Sequence, residues 1–95
     1  MTQNKTIKLN NYQIANNLPI TLIAGPCQME SRSHALETAE FIKKTADKFG
    51  VNLIYKTSFD KANRTSIGGK RGMGMENSLP VFEEIKSKFG IPVLT

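Results

Sequence analysis

One short stretch, residues 55–66 (YKTSFDKANRTS), gathers side chains suited to binding an anion. Between positions 56 and 71 five cations stand against one carboxylate, so this segment carries +4 of the chain's net charge of +5. The cations are Lys56, Lys61, Arg64, Lys70 and Arg71, and the acid is Asp60. The segment begins where a buried strand is predicted to end, and α/β enzymes collect their chemistry at such strand ends. The pattern therefore favours a small, phosphorylated ligand.

The apolar pattern predicts a lead-in over residues 1–18 and then alternating strands and helices. Residues 7–9 and 12–14 flank the turn-prone pair Asn10-Asn11, which predicts a small hairpin. Short apolar runs predict strands over residues 20–24, 51–57 and 91–95.

Two helices are predicted between these strands. The first has its N-cap at Ser31 or Ser33 and ends at Gly50. The second starts near Ser78, with Pro80 in its first turn, and ends at Gly90. Apolar stripes at helical spacing comprise Ala35, Ala39, Ile42, Ala46 and Phe49 in the first helix and Val81, Phe82, Ile85 and Phe89 in the second. The loop over residues 58–77 is long enough to suggest a functional segment.

The strands recur about every 35 residues, which is the spacing of βαβ units with parallel strands. Parallel strands must be covered on both faces, and two helices cannot cover two faces and two edges. We therefore expect residues 1–95 to be the N-terminal third of a single TIM (β/α)₈ barrel domain, which needs about 250 residues. In this α/β arrangement residues 19–95 supply the first strand–helix units.

Two motifs carry a resemblance to a known family. Residues 23–31 (IAGPCQMES) and residues 55–66 closely resemble 3-deoxy-D-manno-octulosonate 8-phosphate synthases. Members have a TIM-barrel fold with an N-terminal hairpin and condense phosphoenolpyruvate with arabinose 5-phosphate and water. The products are phosphate and the eight-carbon sugar acid phosphate used in lipopolysaccharide. The resemblance implies a transferase that is a cytoplasmic homotetramer when complete.

The resemblance also implies roles for individual residues. Lys56 and Lys61 match the lysines that contact phosphoenolpyruvate, and ammonium groups suit its carboxylate and its departing phosphate. Asn63, Arg64 and Thr65 match positions that bind arabinose 5-phosphate. The family commonly has serine in place of Thr65, and the hydroxyl is kept. Ser58, between the lysines, is expected to contact either substrate.

Cys27 is the candidate metal ligand. Metal-dependent members have cysteine at this position and metal-independent members have asparagine, so the resemblance implies a divalent Zn, Fe or Mn ion in the complete enzyme. The matching histidine, glutamate and aspartate would lie beyond Thr95. We therefore expect no tight metal binding by these 95 residues alone.

The composition of the chain argues against a membrane-spanning, a secreted or a nucleic-acid-binding protein. No apolar run approaches the roughly 20 residues of a membrane span, and the N-terminus has no hydrophobic signal core. One cysteine suits a reducing cytoplasm. The basic charge is not interleaved with aromatic residues as in nucleic-acid sites, so we expect no nucleic-acid partner.

Two other functions stay open at this point: a sibling phosphoenolpyruvate-dependent synthase acting on a different aldose phosphate, and a small basic module that binds polyanions. By themselves the 95 residues are expected to be inactive, and insoluble or molten, because open sheet edges invite aggregation.

Overall fold

An antiparallel hairpin opens the chain in the computed structural model, which describes residues 4–60 and 73–95. Strands β1 (Ile7–Leu9) and β2 (Tyr12–Ile14) pair with Leu9 opposite Tyr12. Asn10 in the turn has a φ of 53°, a left-handed conformation that asparagine tolerates better than most residues. The predicted hairpin is confirmed.

The central sheet has three parallel strands in the order β3-β4-β5. They are β3 (Thr21–Ala24), β4 (Asn52–Lys56) and β5 (Val93–Leu94). All three lie within the ranges predicted from the apolar runs. β3 and β4 pair over four residues, from Thr21 opposite Asn52 to Ala24 opposite Tyr55.

Helix α1 (Arg32–Lys48) connects β3 to β4. Its N-cap is Ser31, whose hydroxyl oxygen accepts a hydrogen bond from the His34 N–H at 3.1 Å, so the alternative cap at Ser33 is wrong. Gly50 follows the helix with a φ of 66°, as expected for the residue that stops it.

Helix α2 (Met75–Phe89) connects β4 to β5 and begins earlier than predicted. The expected start near Ser78 is wrong because Gly74, with a φ of 82°, is the N-cap and donates its N–H to the carbonyl of Phe59 at 3.0 Å. Pro80 consequently lies inside the helix rather than in its first turn. Gly90 ends the helix in the left-handed conformation, as predicted. Within the described part of the chain, no helix has the length and hydropathy needed to cross a membrane.

The core lies between the sheet and one side of the two helices. Its fully buried members include Ala35 and Ala39 of α1, Leu53 and Tyr55 of β4, and Ile85 of α2. Alanine at the α1 positions lets that helix lie close to β4. Because side chains alternate along a strand, Ile54 and Lys56 lie on the opposite face of the sheet, away from the helices.

The apolar stripe of α1 extends less far than predicted. Phe49 is 70% exposed because the helix ends at Lys48 and Phe49 serves as its C-cap. It borders an apolar groove of about 270 Å³ beside β3, together with Leu22 and Phe41, the latter 72% exposed.

Tyr12 attaches the hairpin to the central sheet. Its hydroxyl donates to the carbonyl of Leu53 at 2.9 Å and accepts from the Leu53 N–H at 3.2 Å. Further along β4 the N–H groups of Tyr55 and Thr57 bond to the β5 segment. Leu53 lies on the same edge of β4, before β5 begins, so the phenol replaces the missing strand partner. One side chain thereby satisfies two buried peptide groups.

Replacing Tyr12 by phenylalanine should destabilise the protein by about 1–3 kcal/mol, because it leaves the N–H and C=O of Leu53 without a partner. Tyr55→Phe is the matched control, since the Tyr55 hydroxyl is buried and has no hydrogen-bond partner among the described residues. Its removal should leave stability unchanged or raise it. Urea unfolding of both variants measures the difference, and equal effects would contradict the assigned role of Tyr12.

Tyr55 should also make the fold sensitive to alkali. Burial raises its pKa to about 12, whereas an unfolded tyrosine ionises near 10. The folded state therefore holds this proton at pH values where the unfolded chain has lost it. The stabilisation is complete below about pH 10 and is lost as pH rises toward about 12. Over that interval the free energy of unfolding should fall more steeply in the parent protein than in Tyr55→Phe; parallel curves would refute this.

Candidate functional site

The carboxyl ends of β3 and β4 bring the two sequence motifs together. Ala24 and Tyr55 are the last paired residues of the two strands, and the chains stay adjacent beyond them through a parallel bridge between Gln28 and Ser58. The Met29 N–H donates to the Ser58 carbonyl at 2.8 Å. The segment containing Cys27 therefore runs directly beside the segment after Lys56.

The register changes by one residue between these two pairings. Partners are 31 positions apart at Ala24 and Tyr55 but 30 apart at Gln28 and Ser58. The three residues 25–27 thus face two, residues 56 and 57, across the gap. Such an insertion acts like a β-bulge, which bends a strand and redirects a side chain.

The backbones of Gly25 and Lys56 approach closely at the start of this insertion. A Cβ placed on Gly25 would lie 1.9 Å from the carbonyl oxygen of Lys56 and 2.8 Å from its carbonyl carbon. The φ of Gly25 is not positive, unlike those of Gly50, Gly74 and Gly90. This glycine is therefore required for space and not for an unusual backbone conformation.

Three of the predicted site residues lie at this edge of the sheet. Cys27 is exposed and its thiol is free. Lys56, half-buried, is the last residue of β4 and lies on the face away from the helices. Ser58, also half-buried, is the bridge partner of Gln28. Sequence reasoning expected these three to share one strand-end site, and the structure places them on adjoining segments.

The other predicted site residues, Lys61, Asn63, Arg64 and Thr65, lie outside the described residues. Their assignment to the two substrates stays a prediction.

Three cations of α1 are paired with neighbouring acids. Lys43 contacts Asp47 at 2.6 Å and Lys44 contacts Glu40 at 3.1 Å, both within α1. Arg32 forms a two-pronged ion pair with Glu84 of α2, and its hydrogen bond lowers the pKa of that carboxyl. Together α1 and α2 contain six cations and six acids, so the helices carry no net charge that would favour a polyanion.

Sequence reasoning missed Gln28. Its side chain is 3% exposed, and neither its amide nitrogen nor its amide oxygen has a hydrogen-bond partner among the described residues. Its place between Cys27 and Met29, inside the motif of residues 23–31, was the available signal in the sequence. Its importance depends on the bridge to Ser58, which only the strand register reveals.

Cys27 is suited to be one ligand of a transition metal. An exposed thiol at a strand end is a donor that zinc and iron accept. Residues 4–60 and 73–95 contain no cluster of three or more histidine, cysteine, aspartate or glutamate side chains that could complete such a site. Additional ligands would have to come from outside this part of the chain.

Comparison with known proteins agrees with the family resemblance of the two motifs. The sequence profile of the DAHP synthetase I family matches residues 3–95. Curated proteins from Brucella canis, Brucella suis and Brucella abortus, each named 2-dehydro-3-deoxyphosphooctonate aldolase, are 53% identical to the chain over all 95 residues. That name denotes the synthase which the two motifs resemble, so the resemblance is confirmed.

The chain spans about a third of the length of these relatives. The match covers 100% of this chain but 34% of each Brucella protein.

Cys27 should react with a thiol reagent without denaturant, because its side chain is exposed. Ellman's reagent should report about one thiol per chain, with the same total after addition of urea. Cys27→Ser should abolish the signal and serves as the control. A thiol that reacts only after unfolding would contradict the exposed position of Cys27.

Proposed function

The chain belongs to the DAHP synthetase I family, and on that premise we propose that it supplies the N-terminal part of a 3-deoxy-D-manno-octulosonate 8-phosphate synthase. The proposed reaction condenses phosphoenolpyruvate with arabinose 5-phosphate and water, and releases phosphate. The name shared by the Brucella relatives, 2-dehydro-3-deoxyphosphooctonate aldolase, supports this choice.

The observation that carries the proposal is the parallel bridge between Gln28 and Ser58. It keeps the segment of Cys27 beside the segment of Lys56 after the strands themselves have ended. A cation and a thiol then lie at one edge of the sheet, where substrates bind in open or closed parallel sheets.

Lys56 has the chemistry to bind the anionic substrate. Phosphoenolpyruvate carries a carboxylate and a phosphate, and the reaction increases negative charge on the departing phosphate. An ammonium group fixed at a strand end stabilises that charge without having to reorganise during the reaction. Half-burial strengthens the interaction compared with bulk water.

The loop residues complete the proposed substrate site. Lys61 is assigned to phosphoenolpyruvate together with Lys56, and Ser58 donates a hydroxyl hydrogen bond to either substrate. Arg64, with Asn63 and Thr65, is assigned to arabinose 5-phosphate, because a guanidinium offers forked donors to phosphate oxygens. These loop assignments are supported by the motif of residues 55–66.

Cys27 is assigned as one ligand of a divalent metal in the complete enzyme. When bound, such a metal supplies a Lewis acid that polarises a carbonyl oxygen or activates water. The role of Cys27 is to present its thiolate at the mouth of the site, and its exposure is consistent with that.

The complete fold is proposed to be a TIM barrel in a cytoplasmic homotetramer. Support comes from the parallel β3-β4-β5 order with both connecting helices packed on one face of the sheet. A closed barrel has that arrangement, with its helices outside and its site at the carboxyl ends of the strands. The edges of β3 and β5 and the apolar groove beside Phe41 are then covered by the remaining units.

A sibling reaction is the competing proposal. The family profile is described as DAHP synthetase, which favours a related enzyme that uses a different aldose phosphate with phosphoenolpyruvate. Arabinose 5-phosphate and erythrose 4-phosphate are therefore compared directly in the experiment below.

A chimeric enzyme tests the proposal. Residues 1–95 are joined to the part of the Brucella suis relative that lies beyond the matched region, and phosphate release is measured with each aldose phosphate. We expect turnover with arabinose 5-phosphate and none with erythrose 4-phosphate. Lys56→Ala should lower kcat/KM by on the order of 100-fold, as for loss of one group that stabilises developing charge.

Lys48→Ala is the matched control, because Lys48 is an exposed lysine at the end of α1, just before β4 starts, and so lies at the opposite end of the sheet from Lys56. It should leave kcat/KM unchanged. Full activity of Lys56→Ala would remove the lysine from the mechanism, and preference for erythrose 4-phosphate would establish the sibling reaction instead.

A further inference from the structure

We propose that Gly25 is a positioning residue, which sets the separation between the thiol of Cys27 and the ammonium group of Lys56. The proposal concerns a residue that has no side chain of its own to offer a substrate. Its catalytic part rests on the proposed synthase reaction, whereas its structural part does not.

The proposal rests on a close contact between the backbone of Gly25 and the backbone of Lys56. The Gly25 Cα faces the peptide unit of Lys56, and an added Cβ would lie within 1.9 Å of its oxygen, 2.8 Å of its carbon and 3.2 Å of its nitrogen. A flexible side chain could rotate out of the way, but these atoms belong to β4. Any larger residue must therefore push the chain after β3 away from the end of β4.

Such a shift would change the geometry of the candidate site. Cys27 follows Gly25 by two residues and is the last of the three residues 25–27 that face residues 56 and 57. The chain just beyond it is held by the hydrogen bond that the Met29 N–H donates to the Ser58 carbonyl. Residues 25–27 are thus fixed at one end by the close approach of Gly25 to the Lys56 backbone and at the other end by one hydrogen bond. Displacing the first end moves Cys27 relative to Lys56 while the paired parts of β3 and β4 stay in register.

Gly50 is an informative contrast. It has a φ of 66° and no atom within 4 Å of an added Cβ. Gly50→Ala therefore strains the backbone at the end of α1 without displacing a neighbour. The two glycines separate the effect of lost stability from the effect of lost geometry.

A thiol-to-amine cross-linker tests the structural part on the chimeric enzyme after a chelator has removed any metal, and this readout does not depend on turnover. Peptide mass spectrometry should find Cys27 joined to Lys56 in the parent protein and in Gly50→Ala, and a yield lower by about tenfold in Gly25→Ala. Equal yields in Gly25→Ala and the parent would overturn the proposal.

Hydrogen exchange distinguishes displacement from unfolding. In Gly25→Ala the Met29 amide should lose protection, because its bond to Ser58 is broken or lengthened. The Val51 amide, which donates to the Ala46 carbonyl at 2.9 Å, should keep its protection. Loss of protection at both amides would show general unfolding and would overturn a local role for Gly25.

The catalytic part is measured in the chimeric enzyme. Gly25→Ala should lower kcat by on the order of 100-fold, the effect of misplacing a reacting group by about 1 Å, with a smaller change in KM. Gly50→Ala should lower thermal stability and leave kcat unchanged. An inactive parent chimera would refute the proposed reaction, while the cross-linking and exchange results would still decide the role of Gly25.

Discussion

Parallel pairing of β3 with β4 is the interaction on which the candidate site depends. Four residues of each strand pair, and this fixes which residues leave the sheet side by side. Parallel strands end at the same edge, so pairing alone brings a cysteine motif and a lysine motif together although α1 lies between them in sequence. The core supports this pairing from one side, where alanines of α1 allow the helix to lie against Leu53 and Tyr55.

Features encoded by neighbouring residues were predictable from sequence. The Ser31 cap, the turn at Asn10 and the stop at Gly50 each depend on a local preference of one residue type. The start of α2 was not predictable in this way, because it depends on the bond from Gly74 to the Phe59 carbonyl across the intervening loop. Periodicity also assigned Phe49 to the core because it cannot show where a helix stops covering the sheet.

The same distinction applies to the site. Residue type and motif predicted Cys27, Lys56 and Ser58 as site residues, and strand direction was enough to place them at one edge of the sheet, while their roles stay predictions. The extra residue before Gln28 was not visible, since a register exists only between two strands and not within one. A functional role for the segment beyond residue 60 stays a prediction from its motif. The edge of the sheet on which these residues lie was therefore easier to predict than the spacing between them.

The bond between Tyr12 and Leu53 has a consequence for the order in which the chain folds. The two residues are separated by 41 positions, so the first hairpin can form early but cannot dock until β4 has been synthesised. During translation, at roughly 5–20 residues per second, the hairpin must wait for seconds before its anchor emerges from the ribosome. Until then the phenol of Tyr12 is exposed to solvent, and the hairpin of the nascent chain has no β4 to pack against.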